Sequence, residues 1–304
     1  MMNVSKSLLY FRNTVRALTT STSTLTSTPT TQQCTASTSM SNRPIIPLSY
    51  IYLDNLPYKR SSELQQLLVE RQQRLKAARE ASTADDVNVT ILNEDLMLLV
   101  EHTPTYTNGR RNKGTLGIDQ STLLGADYFE SSRGGELTYH GPGQLVAYPI
   151  LDLRQQQLTL RCYVSTLEKA IIATCDQFGV NAKTTENTGV WVDDQRKIAA
   201  IGVQYQRFIT SHGLALNCNT DLNYFKQIVA CGLKDKDTTS LAKVLGDPSL
   251  NVQRVVPAFL TSFGKTFHRS LVPLEQTNPD LHEAINHFVK TGVAQPLLQG
   301  PSRQ

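Results

Sequence analysis

The 304-residue sequence lacks the features of membrane proteins and of disulfide-rich proteins. It contains no uninterrupted run of about 18 apolar residues, so it predicts no membrane span. Its five cysteines are an odd number and show no Cys-x-x-Cys spacing. This pattern argues against a disulfide framework or a zinc site and favours a reducing compartment. We therefore expect no metal site and no membrane partner.

Nucleotide-binding signatures are missing as well. No glycine-rich crossover of the dinucleotide-binding type follows a predicted strand, and Gly114-x-x-Gly117 lacks the Lys-Ser/Thr pair of a phosphate loop. We expect no bound cofactor. The sequence also has no internal repeats.

Acidic residues are absent from the first part of the chain. The first is Asp54, and the four basic residues before it equal the whole formal net charge of +4. The rest of the chain is therefore neutral as a whole and is not drawn to nucleic acid, so any basic surface must be local.

Residues 1–46 have the composition of an organelle transit peptide and leader. Apolar residues from Val4 to Leu18 fall on one helical face, and basic residues fall off that face. Thr19–Ser41 is rich in serine and threonine and cannot build a core. An acid-free, basic and amphipathic start of this kind predicts mitochondrial localisation, with a plain disordered tail as the alternative.

Residues 47–291 predict one α+β catalytic domain, and residues 292–304 predict a flexible tail. The predicted strands are Ser49–Leu53, Leu96–Val100, Leu145–Leu151, Gly189–Val192, Lys197–Gln204 and Phe208–Asn219. The predicted helices are Ser61–Ala81, Leu158–Phe178, Asp221–Ile228, Val252–Leu271 and Asn278–Lys290. Because hairpins connect most of the central strands, we expect a mixed, largely antiparallel sheet with packed helices.

A basic loop is predicted at Thr105–Gly114. It carries Arg110, Arg111 and Lys113 between glycines. Such a charge run is usually a solvated loop, but three neighbouring cations can also dock an acidic partner.

The stretch Arg133–Gln144, RGGELTYHGPGQ, combines four glycines with charged and polar side chains. Glycine allows a backbone to approach a ligand closely. Polar side chains between such glycines indicate a binding loop rather than a packed element. A tight turn with an isolated histidine is the alternative interpretation.

Cys231 is the best candidate for a nucleophile, and Lys197 is one of several candidates for a cation that activates it. Cys231 is followed by Gly232, which leaves the sulfur accessible. The thiolate is the attacking form of cysteine, and a positive neighbour favours it. Lys197 opens the apolar strand KIAAI, an unusual place for a lysine. The alternatives are a small buried cysteine and a surface lysine at a strand end.

Taken together, RGGELTYHGPGQ, GVWV, KIAAIG, SHGLALNCNTDLNYF and ACGL resemble the lipoyl(octanoyl) transferase family. The resemblance covers about Pro47 to Leu241. It implies the fold of the biotin and lipoate ligase catalytic domain. It also implies transfer of an octanoyl group from octanoyl-acyl carrier protein to a lysine of a lipoyl domain, without ATP. The implied acceptors are the glycine cleavage H protein and the E2 subunits of 2-oxoacid dehydrogenases.

The resemblance assigns roles to individual residues. It implies that Cys231 accepts the acyl group and that Lys197 is paired with it. It implies three acyl-binding segments: Arg133, Gly134, Gly135, Glu136, Leu137, Thr138, Tyr139 and His140; Ala200, Ile201 and Gly202; and Gly213, Leu214 and Ala215. Ala230 departs from the family, which commonly has proline before the cysteine.

Some questions stay open at the level of sequence. Backbone N–H groups of Gly134, Gly135 or Gly202 could hold the carbonyl oxygen of the substrate. His140 could shuttle a proton or only form a hydrogen bond within the loop. The alternative functions are an ATP-dependent lipoate or biotin ligase, a lipoyl amidotransferase and a non-catalytic module that binds carrier proteins.

Overall fold

The computed structural model describes residues 47–81, 94–114, 125–233 and 235–298. The predicted leader, 1–46, lies outside the described residues. In the described part of the chain, no helix has both the length and the apolar character needed to cross a membrane.

The described strands are β1 (Leu48–Leu56), β2 (Leu96–His102), β3 (Thr105–Asn108), β4 (Asp127–Glu130), β5 (Thr138–His140), β6 (Gln144–Ile150), β7 (Val190–Trp191), β8 (Arg196–Gln206), β9 (Ile209–Asn217), β10 (Asp237–Thr238) and β11 (Leu271–Pro273). The helices are α1 (Tyr58–Ala81), α2 (Leu160–Asp176), α3 (Asn223–Lys226), α4 (Leu241–Leu245), α5 (Val252–Phe267), α6 (Leu274–Thr277), α7 (Pro279–Thr291) and α8 (Gln295–Leu298). Two short 3-10 turns cover Arg110–Asn112 and Ala230–Gly232.

The main sheet has eight strands in the order β10-β8-β9-β6-β2-β1-β11, and β7 also pairs with β8. The central pairs β2–β6, β6–β9 and β8–β9 are antiparallel. The pairs β1–β2, β1–β11 and β8–β10 are parallel. The predicted α+β class with a mixed sheet is thus confirmed.

Helices cover both faces of this sheet. On one face, α2 and α5 pack through Leu167 and Phe259. On the other, α1 and α7 pack through Leu64 and Ile285. Because both faces are covered, a central strand such as β2 has a continuous apolar run instead of alternating residues.

A second sheet of three strands, in the order β4-β3-β5, lies beside a small core around Tyr106 and Tyr139. Two expectations were wrong here. Thr105–Asn108, predicted as loop, forms β3, and Thr138–His140 of the predicted binding loop forms β5. Pairing between distant segments and burial of Tyr106 decide this, and neither shows in the local sequence.

The C-terminal part also differs from the prediction. Helix α5 ends at Phe267 because His268 adopts a left-handed conformation, with φ of 52°. Residues 295–298 of the predicted flexible tail form α8. Leu297 is fully buried there, and its carbonyl accepts a hydrogen bond from Arg71 Nη1 at 3.2 Å. Burial of Leu297 and the hydrogen bond to its carbonyl stabilise residues 295–298, which composition alone predicted to be flexible.

Candidate active site

Most of the predicted site residues meet at one cavity of about 540 Å³ beside β8. The predicted residues that line it are Arg133, Gly134, Gly135, Glu136, Thr138, His140, Lys197, Ala200, Ile201, Gly202, Gly213, Leu214, Ala215 and Cys231. Residues from four separate parts of the chain therefore share one space.

Leu137 and Tyr139 do not line this cavity. Successive residues of a strand point to opposite faces, so Thr138 and His140 of β5 face the cavity while Tyr139 faces the small core. Tyr139 stacks on Tyr224 with ring centroids 4.3 Å apart. Leu137 acts through its backbone, because its carbonyl accepts a hydrogen bond from Cys231 N–H at 2.8 Å.

Cys231 sits at the middle of a 3-10 turn in a strained conformation. Its φ is 56° and its ψ is 24°, a left-handed region that a non-glycine residue rarely occupies. Such strain clusters at functional sites, where the surroundings hold it. The thiol-bearing residue is half-buried, and Gly232 beside it has φ of 71°. A β-carbon at residue 232 would meet the carboxylate end of Glu136, and the positive φ favours glycine there.

Lys197 is buried rather than exposed at the end of its strand. Only 9% of the residue is accessible. Its ammonium group donates a hydrogen bond to the carbonyl of Thr188 at 3.1 Å and lies 4.8 Å from the centroid of the Trp191 ring. The stem passes over Gly189, where an added β-carbon would lie 3.4 Å from Cε. A buried cation with one hydrogen bond and one aromatic face is held in a single place.

Lys197 and Cys231 also share a second, narrow cavity. Its wall includes Ala200 and Ala215, a cross-strand pair of β8 and β9. Glu168 is close enough for the charge of Lys197 to act on it. Burial raises the pKa of Glu168, and the N–H of Gly189 and the charge of Lys197 oppose this effect only in part. Lys197 therefore has the Glu168 carboxyl group near it and shares a cavity with the cysteine turn.

Arg133 holds the glycine-rich segment together. Its Nη2 donates to the carbonyl of Thr107 at 2.7 Å and to that of Glu136 at 2.9 Å, and its Nη1 donates to the carbonyl of Gly134 at 3.0 Å. Burial lowers the pKa of this guanidinium, and the nearby Tyr58 and Cys231 side chains oppose that shift. Arg133 thus fixes the loop and adds a second positive charge near the sulfur.

Three histidines, His102, His140 and His212, are buried in this region. His140 and His212 line the cavity, and the His102 ring lies behind His140, with centroids 5.9 Å apart. Burial lowers the pKa of His102 to about 4 and that of His212 to about 3, and it holds the pKa of His140 well below its usual value. All three are therefore neutral near pH 7. No three His, Cys, Asp or Glu side chains among the described residues are arranged to hold a metal ion.

The tautomer of His140 follows from its partner. The amide nitrogen of Gln144 donates to the carbonyl of Tyr139 and to Asn217 Oδ1, which leaves its oxygen as an acceptor. The Nδ1 of His140 lies 2.7 Å from that oxygen and so carries the proton. In the neutral ring Nε2 is then an acceptor, and His140 cannot donate from that atom.

The three candidate oxyanion donors are not equivalent. The N–H of Gly134 already donates to the carbonyl of Val203 at 2.9 Å. The carbonyl of Val203 therefore points away from β9, toward Gly134. Because neighbouring residues of a strand direct their backbone groups to opposite sides, the N–H of Gly202 points toward Gly213 on β9. Gly135 has φ of 87°, and its N–H has no acceptor among the described residues. Gly135 is the donor best suited to a carbonyl oxygen.

Sequence reasoning missed several residues of the cavity. Tyr58, Tyr148 and His212 also line it, and Leu160 and Val164 of α2 add apolar surface. His212 stood next to a predicted segment, in SHG, and could have been included. Tyr58 carried no local signal, because it comes to the cavity only through the packing of α1.

Arg111 is the one predicted loop cation that lines the cavity. Its side chain is 75% exposed, and its Nη1 is 3.9 Å from Glu136 Oε1. The neighbouring Arg110 and Lys113 are also exposed. The basic turn thus stands at the mouth of the cavity.

The other described cysteines have no such setting. Cys175 and Cys218 are free and buried, and burial raises the pKa of Cys175 to about 12 and that of Cys218 further. Thiols of this kind are inert structural residues.

Comparison with known proteins places these observations in a family context. Residues 71–264 match the model of the lipoyl protein ligase A/B catalytic domain. Over 177 residues the chain is 46% identical to the mitochondrial octanoyl-[acyl-carrier-protein]:protein N-octanoyltransferase of Danio rerio, covering 58% of this chain and 78% of that protein. Over 212 residues it is 41% identical to the octanoyltransferase of Koribacter versatilis, covering 65% and 84%.

A solved structure has a similar fold. P. falciparum LipL1, solved in complex with lipoate, superposes with a TM-score of 0.57 at 15% identity, covering 84% of this chain and 76% of that chain. At this identity the likeness concerns the fold alone, and it agrees with the predicted lipoate ligase architecture.

Proposed function

The chain belongs to the lipoyl protein ligase A/B catalytic-domain family and is an acyltransferase. From that premise we propose that it moves an octanoyl group from octanoyl-acyl carrier protein to a lysine of a lipoyl domain, through a thioester on Cys231. The observation that carries this proposal is that Cys231 and Lys197 line one cavity whose wall also includes a group of apolar residues.

The apolar residues of the cavity wall suit an octanoyl chain. Val146, Leu160, Val164, Ile201 and Leu214 line the cavity together with small residues of β8 and β9. Burial of each CH₂ group contributes about 0.8 kcal/mol. An eight-carbon chain therefore binds firmly without a charged anchor at its tail.

In the first step, Cys231 Sγ attacks the thioester carbonyl of the donor. A new C–S bond forms to the enzyme and the bond to the carrier thiol breaks. Lys197, which holds the proton lost by Cys231, passes that proton to the leaving thiol and is left as the amine. The ammonium of Lys197 and the guanidinium of Arg133 favour the thiolate form of the nucleophile. The N–H of Gly135 stabilises the oxygen of the tetrahedral intermediate, an effect worth roughly 10²-fold or more in rate.

In the second step, the amine of the acceptor lysine attacks the octanoyl-enzyme. An amide forms, the C–S bond to Cys231 breaks, and the proton of the attacking amine passes to Lys197, so that Cys231 leaves as the thiolate beside a restored ammonium. Lys197 in its amine form is the base for this transfer, because it lines the same cavity as the sulfur. The neutral His140 donates its Nδ1 proton to Gln144 Oε1, and its Nε2 is a fixed acceptor in the cavity wall.

We also propose the biological setting. The donor is the octanoyl-loaded acyl carrier protein, and the acceptors are lipoyl domains such as the glycine cleavage H protein and 2-oxoacid dehydrogenase E2 subunits. The name of the Danio rerio relative supports a mitochondrial location. A reporter fused to residues 1–46 that stays in the cytosol would contradict mitochondrial import.

An ATP-dependent ligase is the main competing function. A ligase must hold the phosphate of an acyl-adenylate, which favours free cations in the glycine-rich segment. Arg133 is the cation of that segment, and its Nη groups are occupied by backbone carbonyls and Thr107 Oγ1.

A choice of donors tests the proposal and separates the competitors. The enzyme is given a lipoyl domain together with octanoyl-acyl carrier protein, with octanoate and MgATP, or with an octanoylated H protein. We expect transfer from the carrier protein alone, without ATP. Transfer that requires ATP would identify a ligase, and transfer only from octanoylated protein would identify an amidotransferase.

A further inference from the structure

A third cavity, of about 680 Å³, shares His212 with the acyl-binding cavity. Cys231 and Lys197 line the acyl-binding cavity but not this third cavity. The lining of the third cavity is mostly polar and includes Gln65, Gln66, Gln73, Gln204, Gln206 and Ser211. His212 therefore stands between an apolar space that reaches the cysteine and a polar space that does not.

His212 is held firmly in this place. Its backbone N–H donates to Gln65 Oε1 at 2.7 Å, which ties β9 to α1. Its ring meets that of Tyr148 edge-on, with centroids 6.0 Å apart and planes at 89°. The backbone is left-handed, with φ of 55°. Only 4% of the residue is accessible, so the ring cannot swing aside without breaking these contacts.

The spacing along β8 from Ala200, which lines the narrow cavity with Cys231, to Val203, the partner of His212, fits an octanoyl chain. Cys231 shares the narrow cavity with the pair Ala200–Ala215, and His212 pairs with Val203, three residues further along β8. Three residues of a strand span about 10 Å. An extended octanoyl chain spans about 9 Å, because each of its seven C–C bonds of about 1.5 Å advances it by roughly 1.25 Å.

We propose that His212 closes the acyl-binding cavity at the methyl end of the chain and so sets the upper limit of donor length at octanoyl. This inference rests on the proposed octanoyl transfer. A longer acyl chain that entered the cavity would meet the His212 ring before its carbonyl reached the sulfur of Cys231. Removal of the ring joins the two cavities and gives that chain room.

The electrostatic state of the ring agrees with this role. Burial lowers the pKa of His212 to about 3, with the charges of Arg133 and Arg110 contributing. The imidazole is therefore uncharged at physiological pH, and it presents a neutral surface to a methyl group. A charged ring in the same place would disfavour an apolar chain end.

The test measures which chains load onto Cys231. Wild-type enzyme is mixed with equal amounts of hexanoyl-, octanoyl-, decanoyl- and dodecanoyl-acyl carrier protein, and the acyl-enzymes are counted by intact mass. We expect octanoyl to dominate in the wild type. In His212→Gly, which tolerates the left-handed backbone, the dodecanoyl-to-octanoyl ratio should rise by roughly tenfold or more, since a packed interior does not relax around extra methylenes.

His212→Asn gives a second route to the same answer, because asparagine also tolerates this backbone and is shorter than histidine. Gln73→Ala is the matched control, since Gln73 lines the third cavity and not the acyl-binding cavity. Its dodecanoyl-to-octanoyl ratio should equal that of the wild type. If both His212 variants load octanoyl with an unchanged ratio, the inference is wrong while the proposed function stands. If the wild type forms no acyl-enzyme with any donor, the proposed function itself fails.

Discussion

Lys197 is the residue whose replacement separates charge from basicity. Lys197→Arg keeps a cation near Cys231 but removes the base, because guanidinium cannot lose its proton in proteins. We expect this variant to form octanoyl-enzyme and to transfer it to a lipoyl domain roughly 10²-fold more slowly or worse, the usual size of a lost acid–base group. Single-turnover measurement of the two steps shows the difference.

Lys197→Met serves as the companion variant, since it keeps much of the stem and loses both charge and base. It should be slow in both acylation and transfer. A Lys197→Met enzyme that transfers octanoate at the wild-type rate would remove Lys197 from the chemistry altogether.

Gly232 tests how far the geometry of the cysteine turn matters. Its left-handed backbone costs alanine about 1–2 kcal/mol, and the added carbon would meet the Glu136 carboxylate. Gly232→Ala should therefore lose most activity as well as some stability. Gly246 has a similar φ of 66° and open space around it, so Gly246→Ala should lose similar stability and keep its activity. Equal activity in the two variants would show that the Glu136 contact is irrelevant.

Among the elements, the basic turn Arg110–Asn112 is expected to act on encounter rather than on chemistry. Arg111 and the neighbouring Lys113 are exposed near the cavity mouth. Steering by such charges changes association rates and weakens with salt. Arg111→Glu combined with Lys113→Glu should lower kcat/KM for the acidic carrier protein by about tenfold at low ionic strength, with little effect at about 1 M salt.

Lys265→Glu is the control for this charge change, because Lys265 is exposed on α5 and does not line the cavity. It should leave kcat/KM nearly unchanged at every salt concentration. A double variant that matches the wild type at low salt would mean that the turn has no part in donor binding.

Elements differ in how well the sequence predicts them. Helix α2 and the β7–β8 hairpin follow from local patterns, because apolar periodicity and a polar turn mark their ends. Strands β3 and β5 do not, since each is short and is stabilised by partners far away in the sequence. The same holds at the site. Motifs identified Cys231 and Lys197, and His212 lay within reach of the same reasoning because it precedes the predicted segment Gly213–Ala215. Tyr58 joins them only through the packing of α1.

For the whole molecule, the site depends on segments that lie far apart in the chain. Strand β8 is bordered by β9 along one edge, by β7 and β10 at the start of the other, and by Gly134 further along. The cysteine turn follows α3, and its N–H is fixed by Leu137 of the glycine-rich segment. We infer that loss of any one of these borders disturbs the distance between Cys231 and Lys197, and that activity falls before the fold does.

Intact-mass analysis of the enzyme after mixing with octanoyl-acyl carrier protein tests the covalent step directly. The enzyme should gain about 126 Da, the mass of an octanoyl group that replaces a thiol hydrogen, and peptide mapping should place it on Cys231. The added mass should disappear when a lipoyl domain is supplied, and Cys231→Ser should form no stable adduct. Transfer by an active Cys231→Ala enzyme, or wild-type turnover with no trapped adduct, would contradict a cysteine thioester intermediate.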